Sequence, residues 1–211
     1  VTTQATTGLP LFPLGTVLFP QGLLPLQIFE VRYLHMVANC RRDGTGFGVV
    51  SLLQGSEVEK AGQPDTPRFQ PLGTLARIVE YAAPMPGLMR IQCIGEGRFR
   101  ILRHERLSHG LWVADVSWIE PDQAVAIPED LQHVAQKLGR LIKTLQSRGV
   151  SSEDMPMRAP YDLEDCSWVA NRWCELLPLS PSRKQDLLAL DSPVLRLELV
   201  SDILDRTTLS F

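Results

Sequence analysis

Leu9-Pro-Leu-Phe-Pro-Leu14, Val17-Leu-Phe-Pro20 and Leu24-Pro-Leu-Gln-Ile-Phe-Glu-Val-Arg-Tyr33 open the chain with apolar residues punctuated by proline, and no charge precedes Glu30. Pro10, Pro13, Pro20 and Pro25 each lack a backbone donor and disrupt a helix interior. The run therefore predicts short extended segments and turns that lead into a helix starting near Glu30. Val31, Leu34 and Ala38 fall at helical spacing on that helix, and Gly44 ends it. The polar Val1–Thr7 segment reads as a frayed tail.

Strands and turns continue to about Glu120. Phe47–Leu53 is a short apolar run, and Leu111–Ile119 alternates so that Trp112, Ala114, Val116 and Trp118 share one face, which predicts core. Gly55–Pro71 is polar, carries Pro64 and Pro67, and reads as a surface loop. Beyond Pro121–Pro128 the period changes. Leu131, Val134, Ala135, Leu138, Leu141, Ile142 and Leu145 predict a helix over Pro128–Arg148 stopped by Gly149. A second helix carries Leu163, Cys166, Ala170 and Trp173 on one side. Ser180-Pro181 and Ser192-Pro193 each set a capping hydroxyl before a first-turn proline and open two more helices.

Three patches in order resemble the N-terminal, substrate-recognition domain of Lon proteases. They are the proline-rich opening, then Gly73–Ile78 with a turn at Gly87 and the strand Ile94–Ile101, and finally Leu176–Pro181 with Lys184–Leu188 and Leu195–Leu199. Coverage runs from about Leu9 to about Leu209. The pattern implies an α+β chain, with a β-rich lobe over residues 9–120 and an α-helical bundle lobe over 128–209, and the resemblance implies that the first lobe is a PUA-like pseudobarrel.

The 211 residues, 44% hydrophobic, suffice for a sizeable core, and a formal charge of −3 provides no global attraction to nucleic acid or anionic lipid. Cys40, Cys93, Cys166 and Cys174 form no C-x-x-C pair and predict reduced, buried thiols of a cytoplasmic protein. The opening apolar run is broken well short of the roughly 20 residues of a spanning helix, so no membrane partner is expected.

Catalytic constellations are missing from the sequence. No G-x-x-x-x-G-K-[ST] run offers a phosphate cradle. Lys60, Lys137, Lys143 and Lys184 all read as solvated lysines rather than as the base of a Ser-Lys pair. His35, His104, His109 and His133 show no H-x-x-x-H spacing, and Gly95-x-Gly97 reads as a turn rather than a dinucleotide fingerprint. No enzyme activity, cofactor or metal site is expected.

Two candidate surfaces remain. The resemblance implies a polypeptide or protein partner, with a contact surface that includes Phe29, Glu30, Arg32 and Tyr33; packing of Phe29 and Tyr33 in the core is the competing assignment. Trp168 and Trp173, five positions apart, point about 140° apart on one helix. One of them is expected in the bundle and the other at the junction with the first lobe, with burial of both in one core as the competing assignment. The second surface is a basic stripe. Strict strand alternation puts Arg98, Arg100, His104 and Arg106 on one face and Phe99 and Ile101 on the other. PUA-like folds include RNA binders, so this stripe supports RNA as the alternative partner, against an ordinary solvated face.

Overall fold

The computed structural model describes residues 5–55 and 67–206. The chain divides into two compact units, Val1–Pro121 and Asp122–Phe211. The first holds β1 (Ala5–Leu14), β2 (Leu23–Ile28), α1 (Val31–Asp43), β3 (Phe47–Gln54), β4 (Arg68–Met85), β5 (Leu88–Arg106) and β6 (Trp112–Trp118).

The strands form one mixed sheet in the order β2-β5-β4-β3-β1-β6, and β6 also pairs with β5. That last pairing closes β1, β3, β4, β5 and β6 into a ring. β5 is long enough to serve two partners: Met89–Ile94 pairs with β2, and Phe99–Arg106 pairs with β6. β2 thus lies outside the ring as an extension of the sheet.

Two cores explain the apolar opening run. Leu9 and Leu11 join Val50, Phe99, Trp112, Ala114 and Val116 in one cluster, whereas Phe12 and Leu14 join Tyr33, Met36, Val37, Cys40, Phe47 and Val49 in another. Successive strand residues face opposite ways, and a helix cannot enter so small a ring, so the first cluster fills the ring and the second lies beneath α1 outside it. A strand covered on both faces reads as continuously apolar.

Two glycines make room for the ring-filling aromatic. A Cβ on Gly48 would sit 2.6 Å from the Phe99 ring and one on Gly73 2.7 Å from it. Gly95 serves a different end: a Cβ there would meet the Phe19 carbonyl oxygen at 2.1 Å, and the close approach lets Gln21 N–H donate to Gly95 O (2.7 Å) and Gly95 N–H to Gly22 O (2.9 Å).

Several expectations need correction. Gly95 and Gly97 lie inside β5 and form no turn: the strand runs through them, its register with β4 slipping between Gly95 and Arg98, and Gly95 pairs with Gln21 and Gly22. Ala5–Thr7 belong to β1, paired with β6, so the segment read as a tail is ordered from Ala5; Val1–Gln4 lie outside the described residues. Likewise Arg68–Pro71 are strand, while Ser56–Thr66, and Lys60 with them, lie outside the described residues. The buried face of α1 is Tyr33, Met36, Val37 and Cys40; Val31 and Ala38 point to solvent, because the sheet beneath selects the side that carries Tyr33.

The second unit holds a 3₁₀ turn (Glu129–Leu131), α2 (Gln132–Ser147), α3 (Cys166–Leu176), α4 (Pro181–Leu188) and α5 (Pro193–Arg206). The amphipathic stripe of α2 is buried at Val134, Ala135, Leu138 and Ile142, and Gly149 follows with φ 75°. Ser180 and Ser192 accept hydrogen bonds from the Arg183 and Leu195 amides, as their serine-proline signatures predict. Asp165 caps α3 through the Trp168 amide (2.8 Å) and also accepts from Val125 N–H (3.0 Å). The helices are tied by a buried polar knot. Arg196 of α5 donates to Asp122 (2.6 Å), to Asn171 of α3 (3.1 Å) and to the carbonyls of Leu187 (3.0 Å) and Leu190, while Ser167 donates to Asp122 (2.7 Å).

Candidate functional site

The corner between β2 and α1 separates the four residues predicted there. Phe29 is 55% exposed and Val31 65% exposed, although both are large and apolar. Beside them Glu30 and Arg32 pair at 2.7 Å, and Arg32 also donates to Gly110 O at 3.2 Å. The Arg32 guanidinium lies 4.7 Å from the Tyr33 ring centroid. Tyr33 itself is buried, stacked on Phe12. Of the predicted group, Phe29 therefore offers surface, Glu30 and Arg32 offer a mutually neutralised clasp, and Tyr33 belongs to the core.

A second apolar surface adjoins Phe29 and escaped the sequence reading. Past the ring, β4 and β5 continue as an arm whose last pair is Met85↔Leu88. The arm turns at Pro86-Gly87, where φ is 79°. Ile28 at the end of β2 pairs with Met89, so Phe29 follows in the direction of Leu88 and Met85. Met85 is 58% exposed, and Tyr81 is exposed with the Arg41 guanidinium stacked 3.5 Å from its centroid. The nine residues Tyr81–Met89 carry no charge. An exposed, charge-free hairpin tip was the signal that could have revealed the surface; reading Gly87 only as a turn passed over it.

The basic stripe is not continuous. The β5–β6 register runs Phe99↔Trp118 and Ile101↔Val116, then slips at Leu102 to give His104↔Ala114 and Arg106↔Trp112. Cross-strand partners share a face, so His104 and Arg106 stand on the side of Phe99 and Ile101, not with Arg98 and Arg100. One bulged residue reverses the alternation. Arg98 is only 4% exposed. His104 lies 5.0 Å from the Phe69 ring and 5.4 Å from Trp112, and Arg106 donates to Gly110 O at 3.4 Å. Arg100 is exposed; Arg103, which the stripe omitted, pairs with Asp115.

Trp168 and Trp173 are both buried, because α3 is buried on all sides from Trp168 to Cys174. Their angular separation thus carries no information about exposure. Trp173 Nε1 donates to Val134 O (3.1 Å), and the Trp168 ring meets Tyr161 at 6.2 Å and the Arg172 guanidinium at 5.7 Å.

Titratable groups in the second unit serve packing. Burial pushes the Glu175 carboxyl up to about 7 against the opposing pull of Arg172, which holds it at 2.9 Å. Lys184 is half-buried and donates to Glu175 O (2.9 Å), which corrects its assignment as a solvated lysine; burial lowers its pKa. All four cysteines are free and buried, and burial raises Cys93 and Cys174 to about 12. Such thiols stay protonated and unreactive. Among the described residues no cluster of three or more His, Cys, Asp or Glu is placed to hold a metal ion, and no helix is long and apolar enough to cross a membrane.

Comparison with known proteins gives a consistent set of likenesses. The profile described as ATP-dependent protease La (LON) substrate-binding domain matches residues 8–206. A Lon N-terminal domain protein from Xanthomonas campestris is 32% identical, with 93% of this chain and 98% of that one superposed at a TM-score of 0.73. The N-terminal domain of Mycobacterium avium complex Lon protease, 17% identical, shares the fold over 94% of this chain and 97% of that one with a TM-score of 0.57. Lon protease 2 of Desulfotalea psychrophila is 25% identical over 203 residues, 93% of this chain. The chain spans about a quarter of the length of that curated relative (25%).

Proposed function

Because the chain belongs to the Lon substrate-binding domain family, we propose that it is a polypeptide-recognition module that holds apolar segments of a protein partner without cleaving them, in the cytoplasm and in association with proteolysis. The observation that carries this reading is the exposed apolar surface at one end of the sheet, Phe29 with Val31 and Met85. Isolated exposed hydrophobics are ordinary, but Phe29 follows β2 in the direction of the Met85↔Leu88 pair and Val31 opens α1 two residues on, a grouping of the kind that marks interaction sites.

RNA binding has less support. Its stripe required Arg98, Arg100, His104 and Arg106 on one face, and the slip at Leu102 splits them two and two. Phosphate tracking needs convergent positive charge.

The test is a titration of fluorescein-labelled, carboxymethylated casein followed by anisotropy. Binding is expected to vary little as salt rises from dilute to physiological levels, and Phe29→Ser with Met85→Ser to weaken it at least tenfold, about 1.4 kcal/mol. Affinity that collapses with salt, or that ignores both substitutions, refutes the assignment.

A further inference from the structure

The sheet has an open edge where polypeptide can be held by its main chain. β3 pairs with β4 from Gln54↔Arg68 to Phe47↔Ala76 and stops, because α1 ends at Gly44 and the chain enters β3 only at Phe47. β4 runs on to Met85, paired with β5 on one side only. Among the described residues no hydrogen bond reaches the other edge of Arg77–Met85. A cavity of about 390 Å³ lies beside this part of β4, between it and the C-terminal end of α1, lined by Arg41, Gly44 and Thr45 on one side and Ile78, Glu80 and Tyr81 on the other.

We infer that this slot takes an extended polypeptide segment as an added strand on β4. The inference rests on the polypeptide reading above and names how the segment is held. A strand edge presents alternating N–H and C=O groups at a fixed spacing, and another extended backbone is the ligand that matches them. The cavity supplies depth for alternate side chains, with Ile78 and Tyr81 as apolar walls, and Arg41 on Tyr81 holds the rim in place. Arg77 is paired with Glu96 and Glu80 stands exposed, so charges interrupt the edge in the manner that discourages sheets from joining indiscriminately. Pro84 and Pro86 bound it at one end and the β4 register slip between Ile78 and Glu80 interrupts it near the other, so regular pairing of an added strand is confined to Glu80–Ala83 within the 77–83 slot.

The experiment uses the whole chain and three fluorescein-labelled decapeptides of alternating leucine and serine: the parent, one N-methylated at the leucines, and one N-methylated at the serines. N-methylation removes donors along one edge and leaves the side chains. One methylated peptide is expected to bind at least tenfold more weakly than the parent and the other within about twofold, while the parent slows amide hydrogen exchange in residues 77–83. Equal binding of all three with unchanged exchange overturns the added strand and leaves the polypeptide reading intact. Failure of the parent itself to bind refutes both. Protection of residues 77–83 that grows with protein concentration in the absence of peptide assigns the edge to a second copy of the chain and also overturns the inference.

Discussion

Tyr33 on α1 stacks on Phe12 of β1 with ring centroids 3.9 Å apart and planes inclined by 20°. The pair joins helix to sheet at the point where the apolar opening run meets the first charges of the chain. Tyr33→Ala removes a buried ring from a close-packed site and is expected to cost about 3 to 5 kcal/mol in urea denaturation. Val31→Ser, two residues away and facing solvent, is expected to change stability by less than about 0.5 kcal/mol. A similar cost for both would mean that the helix faces the sheet through the stripe of Val31, Leu34 and Ala38 after all.

That contrast shows what sequence could and could not disclose. The prolines at 10, 13 and 25 fall in strands and Pro20 in a turn, as helix-excluding residues must, and the serine-proline pairs at 180 and 192 forced helix starts, because both act through the backbone of the residue itself. The face of α1 was ambiguous, since Val31 and Tyr33 are both apolar and only the sheet beneath chooses between them. The basic stripe failed for a related reason. A bulge at Leu102 is a property of two strands in register, and the β5 sequence alone gives alternation no cause to stop. The arm escaped notice because its turn at Gly87 was visible while the unpaired continuation of β4 depends on where β3 ends.

Gly48→Ala tests the packing inside the ring. The new methyl would lie 2.6 Å from the Phe99 ring and 2.8 Å from a Leu11 methyl, far inside contact distance. Overpacking of this kind costs about 1 to 3 kcal/mol. Adding Phe99→Leu removes the ring that the methyl strikes, so the double variant is expected to lose less than the sum of the two single losses. Strict additivity in chemical denaturation would show that Phe99 does not fill the space beside Gly48.

The Arg196 knot makes an unequal prediction for its two ends. Arg196 is buried, and so is the Asp122 carboxylate it holds at 2.6 Å. Arg196→Met leaves that carboxylate without its charge partner and is expected to cost about 3 to 5 kcal/mol. Asp122→Leu combined with Arg196→Met removes both charges and is expected to recover part of the loss, because a buried pair replaced as a unit is often neutral. A double variant less stable than either single one would show that the two residues act separately in the second unit.

Glu175 should give stability a pH dependence of definite sign. Its carboxyl, ordinarily near 4.5, is raised to about 7 by burial in spite of Arg172. Below 4.5 the proton is bound in both folded and unfolded chains, and this group makes stability no function of pH. Between 4.5 and 7 the unfolded chain releases the proton first, so stability falls as pH rises; above 7 both forms are ionised and the loss is complete. The full swing is on the order of 3 kcal/mol. Glu175→Gln cannot ionise and should lose that component. The measurement is urea denaturation of both proteins at pH 4.5 and pH 8, with the variant expected to gain on the parent at the higher pH. A variant that loses ground on the parent between pH 4.5 and pH 8 would mean that the carboxylate is stabilised by Arg172 more than burial penalises it, and that the shift has the opposite sign.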